Sequence, residues 1–233
     1  VVVGVGPSGT ELAGELVLYA KRLAEGFGMD PSLVTVDIIQ SGNRLVPQGS
    51  EKLSAAVEKR LRSLGVNVFL NRRVVKEEVA EVFMKDMEMK TKTVIWTAGT
   101  QANRLLRTIQ GLPLNDRGQV VVNAHLQVKG MPHVWAVGDC AAVKDSGLGQ
   151  AALYQGRHVA EEIVYRIRKV KSEGYIPRDW MLSVPVGPGW AATEVWGFLF
   201  TGRVGWWWRR LLDLFVYVSV LPITKVWHAF RAG

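Results

Sequence analysis

Three glycines at a fixed spacing carry the first chemistry in this chain. Gly4, Gly6 and Gly9 read GxGxxG, directly after the β-branched residues that open the sequence. Behind them Leu12, Leu16, Val17, Ala20 and Leu23 recur at helical spacing. A strand that turns through glycine into a helix brings free backbone N–H groups and the positive end of the helix dipole to one point. That is the chemistry of pyrophosphate binding. Gly4 then permits the tight turn, Gly6 lets the backbone approach the phosphates, and Gly9 allows close helix–strand packing, with Pro7 and Ser8 completing the loop. Glu11 falls in the first helical turn, where a carboxylate either answers the dipole or points toward a nicotinamide. The end of the second strand reads the ribose. Gln40 stands there in place of an acid, able to bond a 2′-hydroxyl without repelling a 2′-phosphate. Arg44 is either a partner for that phosphate or a solvated surface charge. NADH and NADPH are both expected as donors.

The elements that must position these residues alternate strand and helix. After the first strand (1–5) and helix (11–25), residues 34–39 form a strand. Residues 50–64 form a helix with Ser50 as N-cap and Gly65 just past its end, and 66–70 form a third strand. This β-α-β-α-β order is a doubly wound nucleotide-binding unit. Residues 74–92 suggest a small hairpin or meander, and 94–97 a strand closing on Ala98 and Gly99. Strands are expected over 119–122 and 132–137. A long helix is expected over 150–169, with Ala152, Val159, Ile163, Ile167 and Val170 along one stripe, followed by a polar linker over 171–179.

Beyond the linker the composition changes: seven of the nine tryptophans lie at or after Trp180. Trp206, Trp207, Trp208, Arg209 and Arg210 lead into the apolar run of Leu211, Leu212, Phe215 and their neighbours, which Pro222 stops. That run is about half of the roughly 20 residues a membrane span needs. Tryptophan and arginine at its edge suit an amphipathic segment lying in the headgroup plane.

Composition narrows the partners. The 233 residues are 48% hydrophobic and 21% charged, which excludes a disordered chain. A net charge of +8 asks for an anionic partner. Its basic residues are spread along the chain without a DNA-binding motif, so dinucleotide phosphates and a lipid surface fit better than nucleic acid. One cysteine excludes a disulfide framework and a Cys-rich metal site, and no metal is expected. Cys140 has no partner cysteine and is expected to pack as a small apolar group.

Six segments together resemble the type II (non-proton-pumping) NADH:quinone oxidoreductases, within the FAD-dependent pyridine nucleotide-disulfide oxidoreductase superfamily. They are 4–15 (GVGPSGTELAGE), 96–99 (WTAG), 116–122 (DRGQVVV), 126–128 (LQV), 137–141 (VGDCA) and 150–160 (QAALYQGRHVA). The resemblance implies a Rossmann-like NAD(P)H-binding domain (1–97) inserted in an incomplete FAD-binding domain (98–172), with a helical membrane-associating C-terminal tail (173–233). It places Glu11 near the nicotinamide and flavin rings, and Ala98 and Gly99 at the crossing between the nucleotide domains. Asp139, following Gly138, would accept a hydrogen bond from the FAD ribitol. Gln150 and Ala151 would lie beside the isoalloxazine and the quinone.

The implied activity is hydride transfer from NAD(P)H to FAD, with electrons passed on to a membrane quinone. The implied setting is peripheral, on the cytoplasmic face of a bacterial inner membrane or an organellar equivalent, with a homodimer as the implied assembly. Two features depart from the family. Leu148 and Gly149 stand where Pro-Thr-Ala usually precedes the glutamine. The first Gly-rich motif, for the ADP half of FAD, is absent and would lie well before Val1, so a cut inside a longer enzyme is expected. The alternatives are a soluble FAD-dependent disulfide or ferredoxin reductase, or a catalytically incomplete nucleotide-binding fragment.

Overall fold

The computed structural model describes residues 1–178 and 181–232. Asp179, at the end of the expected linker, Trp180 and Gly233 lie outside the described residues. The chain divides into two compact units, Val1–Gly99 with Met181–Gly233, and Thr100–Trp180.

The first unit is built on a parallel sheet of β1 (Val2–Val3), β2 (Val36–Ile39), β3 (Val66–Phe69) and β7 (Ile95–Trp96), in the order β3-β2-β1-β7. Val2 pairs with Ile38 on one side and with Ile95 on the other. All these pairings are parallel, so strand ends that follow one another in sequence lie at the same edge of the sheet. Helix α1 (Pro7–Gly26) starts four residues before the expected boundary, with Pro7 at its first position. Helix α2 (Glu51–Leu64) has the expected caps. The Ser50 side chain accepts from Leu53 N, and Gly65 is left-handed at φ +92°. Residues 74–92 form an antiparallel meander of β4 (Val74–Glu78), β5 (Glu81–Met84) and β6 (Glu88–Lys90).

The C-terminal segment opens with structure that periodicity does not reveal. β8 (Leu182–Pro185), β9 (Ala191–Val195) and β10 (Phe198–Phe200) form an antiparallel sheet. Val184, Val186 and Ala192 join Val2, Ala13, Val17, Leu53 and Val57 in one buried core. A Cβ on Gly14 would lie 2.8 Å from Val186 Cγ1, so the small residue on α1 is what lets this segment pack closely. The Glu194 carboxylate accepts from Ser50 N at 3.1 Å, placing an anion on the N-terminus of α2. Helices α4 (Gly202–Val220) and α5 (Ile223–Ala232) follow.

The second unit has α3 (Gly149–Ile167) against a turn-rich layer. The strands expected over 119–122 and 132–137 are isolated bridges such as Leu114 to Val120 and Gln127 to Trp135. The reason is local. Asn115 Oδ1 accepts from Arg117 N and Gln119 N, and Asn123 Oδ1 accepts from His125 N and Gln127 N. Each turn ends the pairing before a strand can extend. The apolar stripe expected on α3 is also displaced: Ile163, Ile167 and Val170 are exposed, whereas Ala151, Gln155 and Glu162 are buried. Glu162 accepts from Arg166 Nε and meets His125 Nδ1, both at 3.1 Å, and Arg166 lies over the Trp135 ring. Burial pushes the Glu162 carboxyl up, but hydrogen bonds from Ser172, Arg166 and His125 outweigh it and hold it below its ordinary value. The segment expected to be a polar linker is anchored at Tyr175. Tyr175 is buried, with its N–H on Ala124 O and its hydroxyl on Asp145.

Candidate dinucleotide-binding sites

In the first unit two of the glycines do the turning and packing jobs their spacing suggests. Gly4 adopts φ +107°, and a Cβ there would lie 2.6 Å from Ala98 N. A Cβ on Gly9 would lie 2.1 Å from Gly4 O, so only glycine lets α1 sit this close to the strand end. Gly6 differs. Its conformation is extended, and the nearest atom to an added Cβ is Gln48 Nε2 at 3.9 Å. The space over Gly6 is therefore open, with the uncapped start of α1 and the Ser8 and Gly9 amides beside it.

Gln40 ends β2 as expected, its backbone N–H on Phe69 O and its side-chain oxygen accepting from Ser41 N. Arg44 is half-exposed and held by its own loop. Its guanidinium donates to Gly49 O at 2.6 Å, Pro47 O at 2.7 Å and Ser54 Oγ at 3.1 Å, tying the loop ahead of α2. Glu11 is half-buried, and burial raises its carboxyl above the ordinary value. Arg209 of α4 partly opposes this, while Asp213 adds to it. That surrounding comes from residues almost 200 positions away, which no local signal announces. Ala98 packs on Gly4, and Gly99 is left-handed at φ +96°.

In the second unit Gly138 is also left-handed, at φ +69°, and Gly138–Cys140 form a short turn rather than a strand end. Asp139 is exposed. It borders a cavity of about 100 Å³ with Thr100, Arg117, Gln119 and Ser146. Sequence reasoning did not find what fixes this turn. Gln155 is fully buried, accepts from Gly138 N at 2.6 Å and donates to Asp145 Oδ1 at 2.9 Å. Gln150 is half-buried in the first turn of α3, whose N-terminus has no side-chain cap, and Ala151 is buried beside it. Cys140 packs at the edge of the local apolar cluster.

The expected lipid-facing residues divide between two faces of α4. Trp207, Leu211 and Phe215 point outward, Phe215 being 74% exposed, and Val204 and Val218 extend the same stripe. Trp208 turns to Trp196 and Phe200, Leu212 is half-buried, Arg209 pairs with Asp213 at 3.8 Å, and Arg210 is buried beside Trp206. Among the described residues no helix is long and apolar enough to cross a membrane.

A Rossmann-type parallel sheet with a glycine cradle, followed by a second unit presenting a left-handed GD turn, defines a class. The family model of pyridine nucleotide-disulphide oxidoreductases matches residues 1–158, and the chain belongs to that family. Its similarity within the family is narrower. The type II NADH:quinone oxidoreductase of Haemophilus influenzae is 32% identical over 194 residues, covering 78% of this chain and 44% of that protein. The one from Staphylococcus saprophyticus is 23% identical and covers 100% of this chain and 60% of its own. In fold, NDH2 from Plasmodium falciparum in complex with NADH matches with a TM-score of 0.79 at 16% identity, over 99% of this chain and 63% of that one. The chain thus spans about half the length of the curated relatives it matches.

Proposed function

We propose that this chain serves an FAD-dependent oxidoreductase that takes a hydride from NADH and delivers electrons to a membrane quinone, without pumping protons. The observation that carries this is the cradle at α1. Gly4 and Gly9 are closed by their surroundings, while Gly6 of the three is open, beside a helix start that no side chain caps among the described residues. A dinucleotide pyrophosphate fits that opening, and Gly6, Ser8 and Gly9 would hold it. Gln40 would bond the ribose. With Arg44 spent on its own loop, NADH is the donor proposed, and NADPH is the competitor to test.

The exposed Asp139 on the rim of a polar cavity suits the ribitol hydroxyls of FAD, and Gln150 with the α3 N-terminus would favour negative charge on the flavin ring. When bound, the two nucleotides supply the hydride donor and the two-electron acceptor. Glu11 keeps its proton to higher pH than an ordinary carboxyl, which suits it to hand a proton to a reduced quinone. The outward stripe of α4, with five basic residues against the single Asp213 over 202–232, would seat the protein on an anionic cytoplasmic membrane face.

The test is anaerobic mixing of the FAD-loaded protein with NADH or NADPH, followed by a short-chain quinone, alongside vesicle flotation. Bleaching of the flavin by NADH and its recovery on adding quinone are expected. Recovery with a disulfide or ferredoxin but not with quinone would replace this function by the soluble-reductase alternative.

A further inference from the structure

Arg210 occupies an unusual place. It is on the side of α4 that meets α5 and is only 7% exposed. Its guanidinium carbon lies 4.1 Å from the centre of the Phe230 ring and 5.9 Å from that of Trp206. Two aromatic faces attract a cation but offer it no lone pair. Nη1 is shut off from solvent and has no hydrogen-bond partner among the described residues. Asp213, on the same helix, lies 3.8 Å from Arg209.

A buried guanidinium with an idle donor is costly, and an oxyanion brought to it would recover that cost through charge-assisted hydrogen bonds. We propose that Arg210 is a receptor for a phosphate oxygen of an anionic lipid headgroup, taken between α4 and α5. The proposal rests on the membrane-docking reading above and adds to it a specific ligand. A lipid is the fitting source because the same helix carries the exposed row Val204, Trp207, Leu211, Phe215 and Val218, which acyl chains would cover. The pairing also separates two basic neighbours. Arg209 serves an internal ion pair, and Arg210 serves the headgroup.

The experiment uses the full chain with vesicles of phosphatidylcholine, the same vesicles containing phosphatidylglycerol, and inorganic phosphate alone. Flotation and thermal unfolding are the readouts, and circular dichroism checks the fold of each variant. Wild type is expected to prefer phosphatidylglycerol vesicles, with roughly a tenfold share of that preference due to Arg210, the scale of one charge-assisted contact. Arg210→Met should lose that tenfold share while binding neutral vesicles as wild type does, and Arg210→Lys should recover part of it.

If Arg210→Met keeps the full preference while Phe215→Ser loses all vesicle binding, docking stands and the Arg210 site falls. If wild type floats with neither vesicle, the docking reading falls, and the lipid site with it. If phosphate alone raises the wild-type melting temperature as far as phosphatidylglycerol vesicles do, and Arg210→Met abolishes that rise, a free anion is the ligand and the lipid assignment is overturned.

Discussion

The side-chain oxygen of Gln155 accepts the Gly138 N–H at 2.6 Å, and through that one bond α3 fixes the turn that presents Asp139. The amide is fully buried, and its other end donates to the buried Asp145. Gln155→Leu would leave both a backbone N–H and a carboxylate oxygen without this partner. A loss of about 1–3 kcal/mol is expected, because the buried Gly138 N–H left without an acceptor costs its desolvation penalty. Urea unfolding of the two proteins at neutral pH measures it, and FAD affinity should weaken in parallel. A stable variant with normal FAD affinity would mean that Asp139 does not depend on this bond.

The three glycines should separate folding from binding. Gly9→Ala puts a methyl 2.1 Å from Gly4 O and should unfold or badly distort the first unit. Gly6→Ala meets nothing closer than 3.9 Å and keeps a comfortable backbone, so its stability should fall by no more than about 1 kcal/mol. Its NADH affinity should nevertheless collapse, because the methyl occupies the place proposed for the pyrophosphate. Thermal unfolding and NADH titration of the two variants check both halves.

Glu11 links stability to pH with a definite sign. Its folded pKa is raised above the ordinary 4.5, so the folded state holds the proton more tightly than the unfolded chain. The resulting stabilisation is complete below pH 4.5 and is lost as pH rises through the folded pKa. Glu11→Gln should therefore flatten the decline in stability above pH 4.5, in urea melts across mildly acidic to neutral pH. An unchanged slope would show that the carboxyl is well solvated.

Glu162 has the opposite sign. Its folded pKa lies below 4.5, so its contribution is present above that pH and disappears as pH falls through the folded value. Glu162→Gln should lower stability at neutral pH and remove part of the acid sensitivity. An acid titration of near-ultraviolet circular dichroism, reporting on Trp135 beside Arg166, would follow it.

What was legible in the sequence is what short-range chemistry specifies. The glycine turn, Ser50 and Gly65 at the ends of α2, and the meander over 74–92 each announce themselves within a few residues. The β9–β10 hairpin did not, because its turn is Trp196–Gly197 with both residues at positive φ, 49° and 81°. Asparagine or aspartate normally marks that first position, and tryptophan is a poor tenant of it. The buried face of α3 escaped because it carries Gln155 and Glu162, polar groups that a hydrophobic stripe cannot flag. The setting of Glu11 and the burial of Arg210 arise from contacts across the fold and have no local signature.

The packing of Val184, Val186 and Ala192 into the first unit's core also orders events in time. A ribosome delivers residues 1–99 early, but the apolar surface of α1 and α2 waits for strands encoded beyond position 180. At ordinary synthesis rates that interval is on the order of ten seconds, long enough for an open hydrophobic face to find other partners. The nucleotide fold is thus completed from its far end, and a nascent chain halted before β9 would present a sticky intermediate rather than a small stable domain.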